Sequence, residues 1–369
     1  VVEEPKISEL LQERIAAGDF PSAVYLVGEK GKARFSGALG RAVVKPRKIG
    51  ATLDTIYDVA SLTKVLVTTL LWAKLIERDK SYLTKPASTA YPHLGNIEDL
   101  LTHTAGLPAW HPFYLTPNGD LSDRRAIFKH IAGQARAAKA AKNEKKVVYS
   151  DPGFIVLGFL LEGMYKAALD EAAEKEIFAP LGLKNTFFDP SARLKPGIAA
   201  SERGNVYEKQ TCIDMGFPEA KKYAWRKGVI WGEVHDGNAW HLNGVAGHAG
   251  LFSNAMEVFQ IAQQFLPGST SLLQKKTCTL FRKDLTPGLN EARSLGFQLA
   301  TKDSTGKGLA PDSFGHLGFT GTSLWIEPET ERIFILLTNR THDHPLPFVN
   351  INSTRREFHR LAVKALNKL

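Results

Sequence analysis

Hydrophobic and polar positions follow several different rhythms along the chain. In KISELLQERIAA (6–17) apolar residues recur at helical spacing, which predicts an amphipathic helix. SAVYLVGEKGKARFSGALG (22–40) predicts two strands around a glycine-containing turn. SLWIEPETERIFILLTN (323–339) repeats that pattern around a proline-containing turn, and STRREFHRLAVKALNKL (353–369) predicts a closing amphipathic helix. Helix and hairpin material at both ends is satisfied most economically by one antiparallel sheet, shared between the two ends and covered by the terminal helices.

The middle differs. From about 59 to 180, helical spacing dominates in SLTKVLVTTLLWAKLIER, IEDLLTH, DRRAIFKHIAGQA and GFIVLGFLLEGMYKAALDEAAEKEIFAPLG. Residues 200–250 are rich in Gly, Trp, His and Asn and read as long loops, which are often functional. The expected fold class is therefore α/β (α+β), an antiparallel sheet flanked by helices with an inserted all-helical region. The expected division is a discontinuous α/β domain (1–58 and 235–369) and a mainly helical domain with long loops (59–234), with the active site between them.

Composition narrows the function. The chain has 369 residues, 43% hydrophobic and 23% charged, the balance of an ordinary globular protein. No apolar run is long enough to span a bilayer. The first residues, VVEEPKISELLQERI, lack the apolar core of a signal peptide. The net charge of +9 is scattered apart from ARAAKAAKNEKK (135–146), which reads as a solvated face rather than a nucleic-acid surface. Cys212 and Cys278 sit in no metal or redox spacing; one disulfide or two buried thiols are both compatible with them.

Three short stretches carry candidate chemistry. In VASLTK (59–64), Ser61 falls at the first turn of a segment apolar on nearly all faces, and Lys64 lies on the same helical face. The serine alone reads as a helix cap. A lysine one turn into a buried helix is costly without partners, and desolvation would lower its pKa from about 10.4 toward that of a base. In VVYSDPGFIVLG (147–158), Asp151 or Ser150 reads as a helix cap before Pro152, whereas a hydroxyl such as that of Tyr149 beside a lysine is able to relay a proton. In FGHLGFTGTSLWIEPE (314–329), His316-Leu317-Gly318 precede or open a strand whose glycine-rich backbone lets a substrate approach closely.

The order Ser-x-x-Lys, Tyr-x-Asp, His-x-Gly resembles the serine β-lactamase and penicillin-binding-protein superfamily. It is most similar to the branch that holds class C β-lactamases, D-alanyl-D-alanine peptidases of the His-Thr-Gly type, β-lactamase-like carboxylesterases and cell-wall recycling hydrolases. FPSAVYLVGEKGK, YDVASLTK, LLTHTAGLP, YSDPGFIVLGFLLE, GVAGHAGLF and GHLGFTGTSLWIEPE extend the likeness from about residue 20 to about 340. The resemblance implies a β-lactamase/transpeptidase-like fold. It implies Ser61 as nucleophile, Lys64 as proton-shuttling base, Tyr149 as acid/base partner, and an oxyanion hole from the backbone N–H groups of Ser61 and Phe319. It places Asp151, His316 and Gly318 at the substrate, together with His235 and Asp236 of EVHDGNAWHLNGVAGHAG.

Two positions depart from the class C pattern. A lysine there is replaced by His316, mostly neutral at pH 7 and able to gain charge toward pH 6, which weakens carboxylate binding and counts against an efficient β-lactamase. Asp151 replaces an asparagine; as a carboxylate it can only accept, and an ion pair with Lys64 would raise the lysine's pKa and shift proton traffic to Tyr149. His235, Asp236, His241 and His248 lack a strong ligand motif, so no metal is expected, and no cofactor. The expected function is a serine hydrolase acting through an acyl-enzyme on an ester or amide. The expected substrate is a peptidoglycan fragment or a small ester, with no nucleic acid as partner and the cell-wall surface as a setting. The alternatives are a noncatalytic penicillin-binding-like sensor and a genuine β-lactamase. The expected location is extracytoplasmic, periplasmic or secreted after removal of a leader, with a cytoplasmic one as the alternative.

Overall fold

The computed structural model describes residues 1–115, 123–140, 144–301 and 304–369. The strands are β1 (Ser22–Glu29), β2 (Lys32–Val43), β3 (Ile49–Gly50), β4 (Tyr57–Asp58), β5 (Phe187–Phe188), β6 (Leu251–Ser253), β7 (Gln298–Leu299), β8 (Phe314–Leu317), β9 (Ser323–Glu327) and β10 (Arg332–Thr338). Seven of them form one antiparallel sheet in the order β3-β2-β1-β10-β9-β8-β7. The first and last hairpins therefore meet at β1 and β10, with Ala23 opposite Thr338 and Glu29 opposite Arg332. A second small sheet, β4-β6-β5, joins residues on either side of the helical region to a pair within it.

β1 is central, and its apolar run follows from burial on both faces. Ala23, Tyr25 and Val27 point to one side, where Phe334 and Leu336 of β10 meet α1 (Pro5–Ala16) through Ile7 and Leu11 and the last helix (Asn352–Leu366) through Phe358 and Ala362. Val24 and Leu26 point to the other side with Ile333, Ile335 and Leu337, against Val258 and Phe259 and the helical region beyond. This period-two division of one strand between two cores fixes its register, because a slip of one residue would exchange the two sets.

The helical region holds α2 (Leu70–Arg78), α3 (Ile97–Leu101), α4 (Arg124–Ala140) and α5 (Asp151–Tyr165). The expected helix over 61–78 is not uniform. Residues Ala60–Leu62 form a 3₁₀ turn, Lys64–Thr69 are wound as a π-helix, and only then does α2 begin. Wide turns of that kind inside helices accompany functional sites. The stretch read as long loops also contains a helix, Val206–Asp214, whose buried side is limited to Glu208 and Cys212 and so left little apolar periodicity to read. Cys212 and Cys278 are buried free thiols. Residues 141–143 of the basic stretch 135–146 lie outside the described residues, and 135–140 belong to α4. Among the described residues no single helix is long and apolar enough to cross a membrane.

Two glycines set how closely the helical region meets the loop before β6. A Cβ on Gly247 would lie 2.2 Å from the Phe154 carbonyl oxygen and 2.9 Å from Gly158 Cα, and Thr68 Oγ1 donates to the Gly247 carbonyl at 2.7 Å. Gly247→Ala is accordingly expected to cost about 1–3 kcal/mol of stability, as overpacked sites do. The check is a lower urea midpoint at unchanged slope; an unchanged midpoint would show that this contact gives way freely.

Candidate active site

Ser61 stands on a strained turn. Ala60, which precedes it, has φ of +50°, a left-handed conformation uncommon for a residue with a Cβ. Asp58 holds the turn: its Oδ1 accepts from Ala60 N–H at 2.9 Å and its Oδ2 from His235 N–H at 2.8 Å. Thr63 Oγ1 donates to the Ala60 carbonyl at 2.6 Å. The Ser61 hydroxyl meets Lys64 and Tyr149 through side-chain hydrogen bonds.

Lys64 is fully buried. Its Nζ donates to Ser61 Oγ at 3.0 Å and to the His248 carbonyl at 2.9 Å, and pairs with Asp151 Oδ1 at 2.7 Å. The Tyr149 hydroxyl bonds it as well, so the three N–H donors of the ammonium are shared among four oxygens. Burial pulls the Lys64 pKa down, but the Asp151 carboxylate and Tyr149 outweigh it and the net displacement is upward. The expectation of a lysine lowered by desolvation is therefore corrected: Asp151 keeps Lys64 charged. Asp151 is free to do so because Ser150 caps α5, its Oγ accepting from Gly153 N–H at 3.2 Å, with Pro152 in the first turn.

Tyr149 is half-buried, and its desolvation raises the phenol pKa; the Lys64 charge and hydrogen bonds to Lys64 and Ser61 pull the other way without overcoming it. The Lys64 ammonium lies 5.0 Å from the ring centre and the Arg293 guanidinium 5.6 Å, so two cations face the phenol.

His316 lies near the end of β8 rather than at the opening of a strand, and its ring is 5.8 Å from that of Tyr149. Its Nδ1 donates to the Leu317 carbonyl at 2.8 Å. Burial, reinforced by Lys64 and Arg293, holds its pKa well below the ordinary histidine value. A drop toward pH 6 therefore leaves it neutral, contrary to the expectation from an unperturbed histidine. Gly318 follows, where a Cβ would come within 1.9 Å of Thr322 Oγ1 and 2.6 Å of the Val59 carbonyl oxygen. That close approach lets Thr322 Oγ1 donate to Val59 O at 2.9 Å and Thr320 Oγ1 to Asp58 O at 2.8 Å. The β8–β9 turn, with Phe319, is thereby fastened to the segment that carries Ser61.

Two cavities meet at Ser61, Tyr149 and Phe319. One, of about 430 Å³, is lined by Arg293, Gln298, His316, Arg340 and Arg355. The other, of about 460 Å³, has Trp110, Tyr207 and Met215 in its walls with Asp58, Asp151, Glu208, His235 and Asp236. His235 pairs with Glu202 at 3.2 Å and stacks on Phe319 at 5.5 Å. Asp236 caps the short helix Gly237–His241 and pairs with His248 Nε2 at 2.9 Å. Burial and Asp236 raise Glu208 to about 7, although it accepts from Tyr114 Oη at 2.6 Å and Gly237 N–H at 2.7 Å. These histidines each face a carboxylate, and among the described residues no three such side chains converge as a metal site.

The structure brings Ser61, Lys64, Tyr149, Asp151, His316, Gly318 and Phe319 together, and sets His235 and Asp236 in the wall of one cavity. Sequence reasoning missed Asp58, Arg293 and the His248 carbonyl. The last is a backbone atom, hinted at only by the glycines of GVAGHAG.

A family model described as Beta-lactamase matches residues 7–354. A Salmonella typhi protein described as "Putative D-alanyl-D-alanine carboxypeptidase" is 30% identical over 372 residues, covering 90% of this chain and 81% of its own. A class C β-lactamase from Rhodobacter sphaeroides superposes with a TM-score of 0.71 at 17% identity, over 98% of this chain and 100% of its own. A penicillin-binding protein homologue from Caulobacter crescentus gives 0.71 at 16% identity, over 99% and 98%. At these identities the two structures show likeness of fold.

The Asp151 carboxylate favours the protonated forms of both Lys64 and Tyr149. Asp151→Asn removes that bias, so both groups lose protons at lower pH, and the acid limb of the pH–rate profile is expected to move down. Profiles of kcat/KM for the two proteins check this; an unmoved limb would reduce Asp151 to a structural part.

Proposed function

The chain belongs to the Beta-lactamase family and is a serine hydrolase, and we propose that it works through an acyl-enzyme on Ser61. The observation that carries the proposal is the Lys64 ammonium held by Asp151 while it donates to Ser61 Oγ. With Lys64 as donor, Ser61's own proton is left for Tyr149. In the reactive form the Lys64–Tyr149 pair has lost one proton, and the phenolate is stabilised by the ammonium beside it. Tyr149 takes the Ser61 proton as Oγ attacks the substrate carbonyl carbon. The backbone N–H groups of Ser61 and Phe319 receive the oxyanion. The carbonyl re-forms as the bond to the leaving nitrogen or oxygen breaks, and Tyr149 gives that atom its proton. Water then attacks the ester on Ser61, passing a proton to Tyr149, which returns it to Oγ as the acid departs.

The substrate we infer is a small peptidoglycan-derived peptide or an ester. The guanidinium-lined cavity suits a carboxylate-bearing part of such a molecule, and the larger, aromatic-walled cavity suits the remainder. The 30% identical relative bears a carboxypeptidase description. Neutral His316 leaves no charge at the position where a class C enzyme has lysine, which supports esters and peptides over β-lactams.

The test is a panel of short p-nitrophenyl esters, D-alanyl-D-alanine peptides and a chromogenic cephalosporin, run on the parent and on Ser61→Ala. The expected outcome is turnover of esters or peptides, slow cephalosporin hydrolysis, and loss of all activity in the folded alanine variant, with a fluorophosphonate labelling Ser61 alone. Acylation without turnover would point to the sensor alternative, and an active alanine variant would end the mechanism.

A further inference from the structure

Tyr149 is bracketed by a residue that the chemistry above does not use. His103, in LLTHTAGLP, is buried and has φ of +59°. Its carbonyl accepts from Val148 N–H at 2.9 Å, and its ring Nδ1 accepts from Ser150 N–H at 3.0 Å. These amides lie on either side of Tyr149 in the chain. The His103 ring also lies 4.7 Å from the Tyr149 ring and 5.1 Å from that of Phe154. One residue thus holds the backbone before and after the tyrosine and one side of its phenol.

The hydrogen bonds decide the form of the ring. An amide N–H only donates, so Nδ1 carries a lone pair and the proton resides on Nε2. A second proton on Nδ1 would oppose the Ser150 N–H. Burial, with Arg293, Lys64 and His316 nearby, keeps the ring neutral.

We propose that His103 is the positioning residue for Tyr149, fixing the phenol so that its Oη stays within reach of Ser61 and the leaving group. It acts through Tyr149 and touches no substrate. Proton transfer is sensitive to such placement: an error of about 1 Å costs roughly a hundredfold. The left-handed backbone belongs to the same device, because it lets one residue offer its carbonyl and its ring to the same strip of chain.

The proposal rests on the serine-hydrolase reading, and three substitutions test it. His103→Gly keeps the carbonyl and tolerates the positive φ, but loses the acceptor and the ring. His103→Asn tolerates that φ and sets an amide oxygen on Cγ, where the histidine carries Nδ1. His103→Phe keeps a ring without an acceptor. For the glycine variant the expected result is a fall in kcat of about a hundredfold with KM nearly unchanged. The asparagine variant is expected to recover most of that loss and the phenylalanine variant little. Fluorophosphonate should still label Ser61 to completion in each folded variant but more slowly in the glycine and phenylalanine ones. Failure to label Ser61 in the parent would instead undo the serine-hydrolase reading. Should the glycine variant not fold, the asparagine and phenylalanine pair decides, with kcat expected to be higher in asparagine. Parent-like kcat in the glycine variant, equal kcat in asparagine and phenylalanine, or a loss confined to KM would overturn the assignment.

Discussion

A fully buried ammonium is the constraint around which this active site is arranged. Lys64 has no water to fall back on, and an unpaired charge in such a place is prohibitively costly. Its oxygens come from three parts of the chain: Ser61 one turn away, Tyr149 and Asp151 at the start of α5, and the His248 carbonyl in the glycine-rich loop before β6. Satisfying one side chain therefore fixes Ser61, the entry of a core helix and the course of a loop. Breaking a buried pair by removing one partner commonly costs about 3–5 kcal/mol, so this cluster shapes the fold as well as the reaction.

The sheet serves that arrangement at a distance. β1 and β10, buried on both faces, carry β9 and β8, and the β8–β9 turn is tied to Asp58 and Val59 by Thr320 and Thr322. Ser61 is thus held between a rigid sheet and a helical region, which is how the strained φ at Ala60 is maintained. The phenol of Tyr149 faces two cations yet is partly desolvated, so its proton is balanced between opposing influences. That balance, rather than a free lysine, is what the geometry offers as the source of a base.

Much of this was legible in the chain. The unbroken apolar runs in SAVYLVGE and RIFILLT mark strands of a sheet covered on both sides, and the three motifs name the residues that meet. What was not legible has physical reasons. A π-wound segment has the same apolar composition as an α-helix, so Lys64–Thr69 gave no warning. The His248 contact uses a carbonyl, which every residue possesses. The charge state of Lys64 depended on whether Asp151 or Ser150 capped α5; both are good caps, and only their placement decides. His316 read as an ordinary histidine because its burial and its cationic neighbours are brought about by folding.

The central claim is that Asp151 keeps Lys64 protonated in the resting enzyme. Carbon-13 labelling of lysine side chains, with the Lys64 signal assigned by substitution, allows its titration to be followed directly by NMR. The account predicts a Lys64 pKa above the ordinary lysine value of about 10.4. A Lys64 that titrates well below that value would make the lysine a free base at rest and contradict the account.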